Sequence, residues 1–270
     1  MRNPARISQA VATHPGSLVV VGTGINGPGQ TTPEAVACIG RADKLFYAVT
    51  DPTTEFWLRQ LNPTATSLSR LYAVGKKRSV TYAEMTDAIV ASVQSGLDVC
   101  VAFYGHPGVL VTAAHAAIER VREAGGRARM FPGISADACL FADLGVNPGE
   151  QGIQSYEATD FLLSRRRFDP TGNLLLWQIG VLGESRTRTG VIFRPRRMQV
   201  LVDRLLKQYP ATHRVVLYQA PSFAADRFTM RRIALERLPR AKVPPMAMLY
   251  VPPLPRRRPD PKIARWYNEG

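Results

Sequence analysis

Three glycine-containing loops have the residue types and spacing suited to holding a ligand. They are GTGING from Gly22 to Gly27, YGHPGV from Tyr104 to Val109, and PGISA from Pro132 to Ala136. Each follows a short run that is typical of a strand, and ligands of open α/β sheets bind beyond the carboxyl ends of the strands. The second loop in particular therefore predicts a binding site.

The first loop has the GxGxxG spacing of a dinucleotide-binding turn, and Asp51 stands near the acidic position that such a fold uses. In that motif the glycines open the helix whose N-terminus holds the pyrophosphate. Here Pro28 and Gly29 follow instead, and the next helix is expected to begin only near Thr32. A longer loop of this kind lets the backbone approach a bulky ligand without pointing a helix dipole at phosphate.

The other two loops also have simpler interpretations, and further catalytic signals are weak. The second loop is consistent with an ordinary tight turn containing His106, and Ser135 with a helix cap. No carboxylate pair or Cys/His metal spacing is evident, and Cys38, Cys100 and Cys139 are far apart. The sequence therefore predicts no metal, no disulfide framework and a reducing compartment.

The chain has 270 residues, 45% of them hydrophobic, and a net charge of +14. Such charge suits nucleic acid, a membrane surface or an acidic peptide, but solvated loops and tails also explain the arginine-rich runs 165–167, 194–197, 231–232 and 256–258. The apolar stretches are too short to span a bilayer, and residues 1–16 lack the apolar core of a signal peptide. We expect a soluble cytoplasmic protein without a membrane partner.

Strand and helix signals alternate along the first half. Strands are predicted at residues 17–21, 44–49, 99–104 and 129–131, and helices at 33–39, 81–95, 109–124 and 136–143. Thr32 and Pro33 are typical of a helix start, and Thr81 with Glu84 has the form of a capping box. This alternation predicts an α/β fold with a mostly parallel sheet.

The second half is similar, with strands predicted at 153–157, 173–179, 214–219 and 246–251 and a helix at 199–208. The Asn147-Pro148-Gly149 run is the best hinge candidate. We therefore expect a flexible arm at residues 1–16, α/β domains at 17–148 and 149–252, and an extended basic tail at 253–270.

Together, the three loops resemble the S-adenosylmethionine-binding loops of the tetrapyrrole methylases, over roughly residues 17–251. The resemblance implies a two-domain class III methyltransferase fold with the cofactor in the interdomain cleft. Members that act on tetrapyrroles usually carry an acidic Gly-Asp-Pro loop, whereas this chain has Gly105-His106-Pro107. That difference argues against a tetrapyrrole substrate.

Longer runs, from Gly16 to Ile25, Phe103 to Val109, Pro132 to Ala136, Cys139 to Leu144 and Tyr156 to Ala158, resemble the borosin peptide N-methyltransferases. Those enzymes iteratively methylate backbone amides of a ribosomally made precursor peptide, carried either as a C-terminal extension or, in split borosins, as a separate chain. Because the sequence stops soon after its last predicted strand, it resembles the split form. The resemblance implies S-adenosylmethionine as methyl donor, S-adenosylhomocysteine as product, and a homodimer in a 2:2 complex with a separate precursor peptide.

By the same resemblance, Tyr72, Arg78 and Tyr82 match the family's catalytic tyrosines and arginine, with Ser69 at a position that is often tyrosine. An amide nitrogen is a poor nucleophile, so its methylation needs loss of the N–H proton or stabilisation of the amide oxygen. Arg78 is assigned to electrostatic stabilisation, Tyr82 to accepting the proton and Tyr72 to donating to the oxygen, although the two tyrosine roles are interchangeable at this stage. Tyr104 is assigned to the space between donor and peptide.

Cofactor contacts are expected from both halves. The candidates are Gly22, Gly24, Ile25, Tyr104, Gly105, His106, Val109, Ser135, Ala136, Gln178, Gln219 and Ala220. A satisfied polar strand end explains the two glutamines equally well, and His115 is expected to be structural.

Other functions remain open at this point. A methyltransferase acting on a tetrapyrrole or a structured RNA keeps the cofactor but changes the substrate. A nicotinamide-dependent oxidoreductase would use the glycine turn, and a nucleic-acid-binding module would use the basic charge.

Overall fold

The computed structural model describes residues 16–190, 192–221, 226–255 and 260–268. The expected arm at residues 1–16 therefore lies outside the described residues except for Gly16, and so does the arginine run 256–258. The described residues form two compact units. The first comprises residues 16–73 and Arg78–Ile134, and the second comprises Val74–Lys77 and the residues from Ser135 onward.

The expected domain boundary after residue 148 is wrong, because the second unit already begins at Ser135. The helix that follows Ser135 is held by the sheet of the second unit. The Tyr218 hydroxyl donates a hydrogen bond to Asp143 Oδ2 over 2.6 Å. Proline and glycine mark a turn in the sequence, but tertiary contacts decide the unit to which a helix belongs.

The first unit alternates strands and helices. Its elements are β1 (Ser17–Gly22), α1 (Pro33–Arg41), β2 (Lys44–Ala48), α2 (Pro52–Leu61), β3 (Thr66–Ser67), α3 (Arg78–Gln94), β4 (Asp98–Phe103), α4 (Thr112–Glu123) and β5 (Arg127–Met130). Short 3-10 helices lie at Gly27–Gly29 and Leu68–Leu71.

The strands of the first unit form one sheet in the order β3-β2-β4-β1-β5, and every pair is parallel. Alternate residues of the same strand enter different cores. In β4, Val99, Val101 and Phe103 pack with α3 and α4, whereas Cys100 and Ala102 pack with α1 and α2. Helices thus cover both faces, as a parallel sheet requires, and the prediction of a parallel sheet is confirmed here.

The starts of α1 and α3 show when a local sequence motif is sufficient to predict where a helix begins. Thr32 caps α1 as predicted, since its side chain accepts a hydrogen bond from the amide of Ala35. The capping box at Thr81 is wrong: α3 begins at Arg78, and Thr81 is fully buried within it. Thr81 lies on the same face as Met85 and Ile89, at helical spacing, and packing of this face against the sheet extends the helix backwards.

The second unit contains α5 (Ala136–Leu144), α6 (Pro148–Gln151), β6 (Ile153–Glu157), α7 (Ala158–Leu163), β7 (Asn173–Trp177), α8 (Pro195–Leu205), β8 (Arg214–Gln219), β9 (Thr229–Ala234), β10 (Met248–Val251) and α9 (Pro261–Asn268). It also has 3-10 helices at Ile179–Val181 and Leu235–Arg240. The expected extended tail at 253–270 is wrong where α9 forms.

The strand order of the second sheet is β6-β7-β10-β8-β9. Only β6 and β7 pair in parallel, and the other pairs are antiparallel. One face packs on α7, α8 and the 3-10 helix that begins at Leu235, around Phe161, Leu201 and Leu217. The expectation of parallel strands therefore holds for the first unit and not for the second.

In the described part of the chain, no helix is both long and apolar enough to traverse a membrane.

Candidate functional site

The three predicted loops follow β1, β4 and β5, which are adjacent in the first sheet. Gly22, the last residue of β1, stands opposite Phe103, the last residue of β4. Because the strands are parallel, their carboxyl ends lie at one edge. The structure therefore brings the three loops together, as the sequence predicted.

Glycines lock these loops to one another. The amide of Gly24 donates to the carbonyl oxygen of Gly105 over 3.2 Å, and the amide of Gly105 donates back to Gly24 over 2.9 Å. A Cβ atom at Gly133 would lie 2.6 Å from the Gly105 oxygen and 2.9 Å from the Gly22 Cα. The loops thus approach at a distance that only glycine allows.

The first loop folds around a glutamine that the sequence analysis missed. Gln30 Oε1 accepts hydrogen bonds from the amides of Ile25 and Asn26, over 2.8 and 3.0 Å. Ile25 is only 2% exposed, so its side chain belongs to the core of the loop. Asn26 Oδ1 is buried without a hydrogen-bond partner among the described residues. The sequence signal that could have identified Gln30 is its position directly after the Gly27-Pro28-Gly29 turn.

The second loop is held by its own histidine and by a helix. His106 Nδ1 accepts from the amide of Gly108 over 2.9 Å, and His115 Nε2 on α4 lies 3.0 Å from the Gly108 oxygen. His115 is therefore a structural residue, as predicted. Leu110 has a φ of +60°, which is strained for a leucine and is a feature of functional loops.

Other candidates in the second and third loops are only partly accessible. Tyr104 and Val109 are half-buried, and the amide of Tyr104 donates to Ala48 at the end of β2 over 3.0 Å. Ser135 precedes α5, but its hydroxyl bonds to Asp137 Oδ1 instead of a helix amide. Ala136 is the half-buried first residue of α5.

The candidates of the second unit share one edge of its sheet. β7 and β8 both pair antiparallel with β10, so they run in the same direction and end on the same side. Gln178 follows β7 with a left-handed φ of +58°, Gln219 is the last residue of β8, and Ala220 is 7% exposed. Their contact with a cofactor stays a prediction.

The tyrosine and arginine candidates gather in the first unit. The rings of Tyr72 and Tyr82 are 6.5 Å apart between centroids and nearly perpendicular, at 89°. Tyr72 follows the 3-10 helix after β3, and Arg78 is the first residue of α3, which also carries Tyr82. Since β3 is parallel to β2, its one partner strand in the sheet, the chain leaves β3 towards Tyr72 at the same sheet edge as the glycine loops.

The environment of Tyr72 raises the pKa of its hydroxyl group. Burial of the Tyr72 ring, and then its neighbour Tyr82, raises the pKa of Tyr72 to about 12, although Tyr72 is 38% exposed. The positive charge of Arg78 lowers this pKa, but less than burial raises it. Tyr72 therefore keeps its proton near neutral pH.

The segment between Tyr72 and Arg78 is anchored in the second unit. The amide of Gly75 donates to the Thr187 oxygen and the amide of Thr187 donates to the Lys76 oxygen, both over 2.9 Å. The Arg186 guanidinium adds a hydrogen bond of 2.7 Å to the Gly75 oxygen. Nothing in the local sequence indicates this pairing between distant segments.

The structure argues against a dinucleotide-binding turn, because neither the glycine spacing nor Asp51 has the role that such a turn requires. Gly27–Gly29 forms a 3-10 turn and α1 begins only at Pro33, so the glycines do not open a long helix. Asp51 caps α2, since its Oδ1 accepts from the amide of Thr54 over 2.7 Å. Asp51 is 7% exposed and has a structural function.

Comparison of the sequence with known proteins places it among methyltransferases. The sequence profile of the family described as Tetrapyrrole (Corrin/Porphyrin) Methylases matches residues 17–235. The chain is 38% identical over 264 residues to the methyltransferase/ribosomally synthesized cyclic peptide dendrothelin A precursor of Dendrothele bispora, covering 96% of this chain and 63% of that protein. It is 39% identical over 259 residues to the corresponding omphalotin A precursor of Omphalotus olearius, covering 94% of this chain and 61% of that protein.

The chain thus spans about three fifths of the length of these curated relatives. It is also 38% identical to a type III borosin cyclic peptide precursor of Anomoporia bombycina, covering 88% of this chain and 28% of that protein. Among solved structures, the uroporphyrin-III-C-methyltransferase of Thermus thermophilus matches with a TM-score of 0.64 and 19% identity, covering 94% of this chain and 98% of that one. That similarity supports the two-domain α/β fold.

Proposed function

The chain belongs to the tetrapyrrole methylase family, and from this premise we propose that it transfers methyl groups from S-adenosylmethionine to backbone amide nitrogens of a ribosomally made peptide. The relatives that support a peptide substrate are described as methyltransferases and cyclic peptide precursors in one chain. Because this chain spans only part of their length, its substrate is inferred from its own site.

The glycine loops fit an adenosine-containing methyl donor. Close backbone packing at Gly22 and Gly133 holds the three loops in fixed positions at one sheet edge, and the buried Asn26 Oδ1 offers an unused acceptor. The donor would supply an electrophilic methyl group on a sulfonium sulfur. The second-unit candidates Gln178, Gln219 and Ala220 would complete its binding.

The tyrosine–arginine cluster is suited to making an amide nucleophilic. With its raised pKa, Tyr72 is a persistent hydrogen-bond donor to the amide oxygen, where charge develops as the N–H proton leaves. Arg78 remains cationic and stabilises the same charge. Tyr82 accepts or relays the proton, since Tyr72 is the member of the pair that holds its own.

The single observation that carries the proposal is this cluster at the carboxyl edge of the first sheet. A dinucleotide oxidoreductase needs no phenol with a raised pKa beside a second phenol and a guanidinium, whereas amide activation needs a donor, a cation and a proton acceptor.

The direct test incubates the purified chain with S-adenosylmethionine and a pool of synthetic peptides of varied composition, followed by mass spectrometry. We expect mass increments of whole methyl groups, and fragmentation that locates them on backbone nitrogens. Methylation of side chains only would contradict the proposal. In parallel, S-adenosylhomocysteine and not NAD should raise the melting temperature.

The assignment of roles is tested with three variants. Tyr82→Phe and Arg78→Ala should each lower methylation at least about 100-fold while S-adenosylhomocysteine still stabilises the protein. Tyr72→Phe should reduce the rate in the same way. Val80→Ala is the matched control, since Val80 is an exposed residue on the same helix. An unchanged rate in any of the three variants would remove that residue from the mechanism.

We further propose a separate precursor peptide as the substrate and a homodimer as the active form. Methylation of a peptide added in trans supports the first, and a mass from light scattering supports the second. Methylation of peptide bonds within the enzyme's own chain would refute the separate substrate.

A structured RNA is the second candidate substrate, because a net charge of +14 would attract it. Methyl transfer to RNA, with no transfer to peptide under the same conditions, would favour this alternative. The non-acidic Gly105-His106-Pro107 run argues against a tetrapyrrole.

A further inference from the structure

The second unit contains a cavity of about 550 Å³ that no part of the proposed reaction uses. It lies on the face of the second sheet opposite the α7–α8 core, beneath the segment that joins α5 to β6. Its lining residues are Leu144, Gly145, Val146, Asn147, Glu150, Gln151, Asn173, His213, Arg214, Val216, Arg232, Tyr250 and Pro252. The volume is in the range of known ligand sites.

Strand register explains which side chains reach this cavity. Val216 on β8 stands opposite Arg232 on β9 and opposite Tyr250 on β10, so these residues form one row on one face. Arg214 precedes Val216 by two residues and therefore points to the same face. Leu217, on the other face, belongs to the main core. The sheet thus presents two guanidinium groups beside an apolar surface.

Arg214 and Arg232 form no salt bridge with any carboxylate of the described residues. Arg214 donates only to the Arg232 carbonyl oxygen, over 3.3 Å, and no carboxylate pairs with either guanidinium in the part of the chain that the structure describes. Glu150 also lines the cavity, and its Oε1 accepts from Asn147 Nδ2 over 3.3 Å. The local charge of these three side chains is therefore positive by one unit.

Three polar side chains that line the cavity already have hydrogen-bond partners within the protein. The Tyr250 hydroxyl donates to Asn173 Oδ1 over 2.7 Å, and Asn173 Nδ2 donates to the Gly152 oxygen over 2.7 Å. His213 Nε2 lies 2.9 Å from the Pro252 oxygen. The guanidinium groups of Arg214 and Arg232 are exposed, and they suit carboxylates because of their planar donor geometry.

We propose that this cavity docks an acidic segment of the peptide substrate, at a distance in sequence from the amides that are methylated. Carboxylates of the segment bind Arg214 and Arg232, and an adjacent apolar side chain packs on Val216, Tyr250 and Pro252. The identity of the peptide as substrate rests on the proposed function. The cavity is much larger than a phosphate ion and has a mixed polar and apolar lining, which favours a peptide.

The test measures binding of a fluorescein-labelled, end-capped peptide with the sequence Glu-Leu-Glu-Leu-Glu by fluorescence anisotropy at low ionic strength. We expect the Arg214→Gln/Arg232→Gln double variant to bind about tenfold more weakly than the wild type. The single variants Arg232→Gln and Arg231→Gln form the matched pair, because each removes one charge from β9 but on opposite faces of the sheet. Arg232→Gln should weaken binding at least about threefold, and Arg231→Gln less than about twofold. A Gln-Leu-Gln-Leu-Gln peptide should bind weakly to all forms.

Equal weakening by Arg231→Gln would show a general charge effect and overturn the site. Full displacement of the peptide by an equimolar concentration of inorganic phosphate would show a small-anion site instead. This assay needs no methyl donor, so its outcome is independent of the proposed catalytic activity. If methylation is observed, fusing the acidic segment to the peptide should lower KM for the wild type and not for the double variant, with kcat unchanged.

Discussion

The close packing of the glycine loops leads to a sharp prediction for Gly22→Ala. The added methyl group would collide with the Gly105 carbonyl oxygen, lie 2.8 Å from the Pro107 Cδ and lie 3.0 Å from the Gly133 Cα. These atoms belong to backbone or to a proline ring, so they cannot rotate away. Gly22 has no left-handed φ, and the effect is therefore one of space and not of backbone strain.

Overpacking of this kind costs about 3 kcal/mol or more, because all of the contacts are rigid. Reduced freedom of the unfolded chain offsets up to about 1 kcal/mol. We therefore expect a net loss of about 2 kcal/mol or more in the free energy of unfolding, measured by urea denaturation with intrinsic fluorescence. The loops should separate in the variant, so the thermal stabilisation by S-adenosylhomocysteine should also be lost.

Gly29→Ala is the matched control from the same loop. A Cβ at Gly29 meets no atom within 4 Å. Its free energy of unfolding should be unchanged or higher by up to about 1 kcal/mol, and binding of S-adenosylhomocysteine should persist. A Gly22→Ala protein as stable as the Gly29→Ala protein would refute the packing argument.

Three other predictions concern polar groups. Tyr209→Phe should leave the free energy of unfolding equal or slightly higher, because the Tyr209 hydroxyl is buried with no partner among the described residues. Tyr250→Phe should lower the free energy of unfolding by about 1–3 kcal/mol, since Asn173 Oδ1 loses its hydrogen-bond donor. The free energy of unfolding should fall as the pH rises from about 10 towards 12, because Tyr72 and Tyr209 keep protons in the folded protein that the unfolded chain releases. Urea denaturation at a series of pH values measures this fall, and Tyr72→Phe should make it shallower. Asp51→Ala should lower the free energy of unfolding by about 1 kcal/mol in the same assay, because it removes the cap of α2. It should have no effect on NAD binding. A larger effect on the affinity for NAD than on stability would restore the dinucleotide interpretation.

Local signals were sufficient for much of the first unit. β1 and β2 are short apolar runs, and the Thr32-Pro33 pair starts α1 where the sequence indicates. Their physical causes act within a few residues: a side-chain cap, a proline ring and an apolar run that must be buried. The glycine loops were also readable, since their spacing follows the ends of strands.

Signals that depend on distant residues were misread or missed. Thr81 has the form of a cap but is buried inside α3, where packing on the sheet overrides the local motif. β9 went unpredicted, because its residues are mostly exposed and its strand forms only through pairing with β8. The boundary at Ser135 was missed for the same reason.

The sequence by itself determined β1, β2, the start of α1 and the three glycine loops, because hydrophobic spacing, a helix cap and glycine positions are properties of neighbouring residues. Only the tertiary structure decided that Gly24 and Gly105 bond to each other, that Tyr72 holds its proton beside Tyr82, and that Arg214 and Arg232 share one face of a mixed sheet. Each of these depends on strand register and burial. Those quantities exist only after distant segments have packed together.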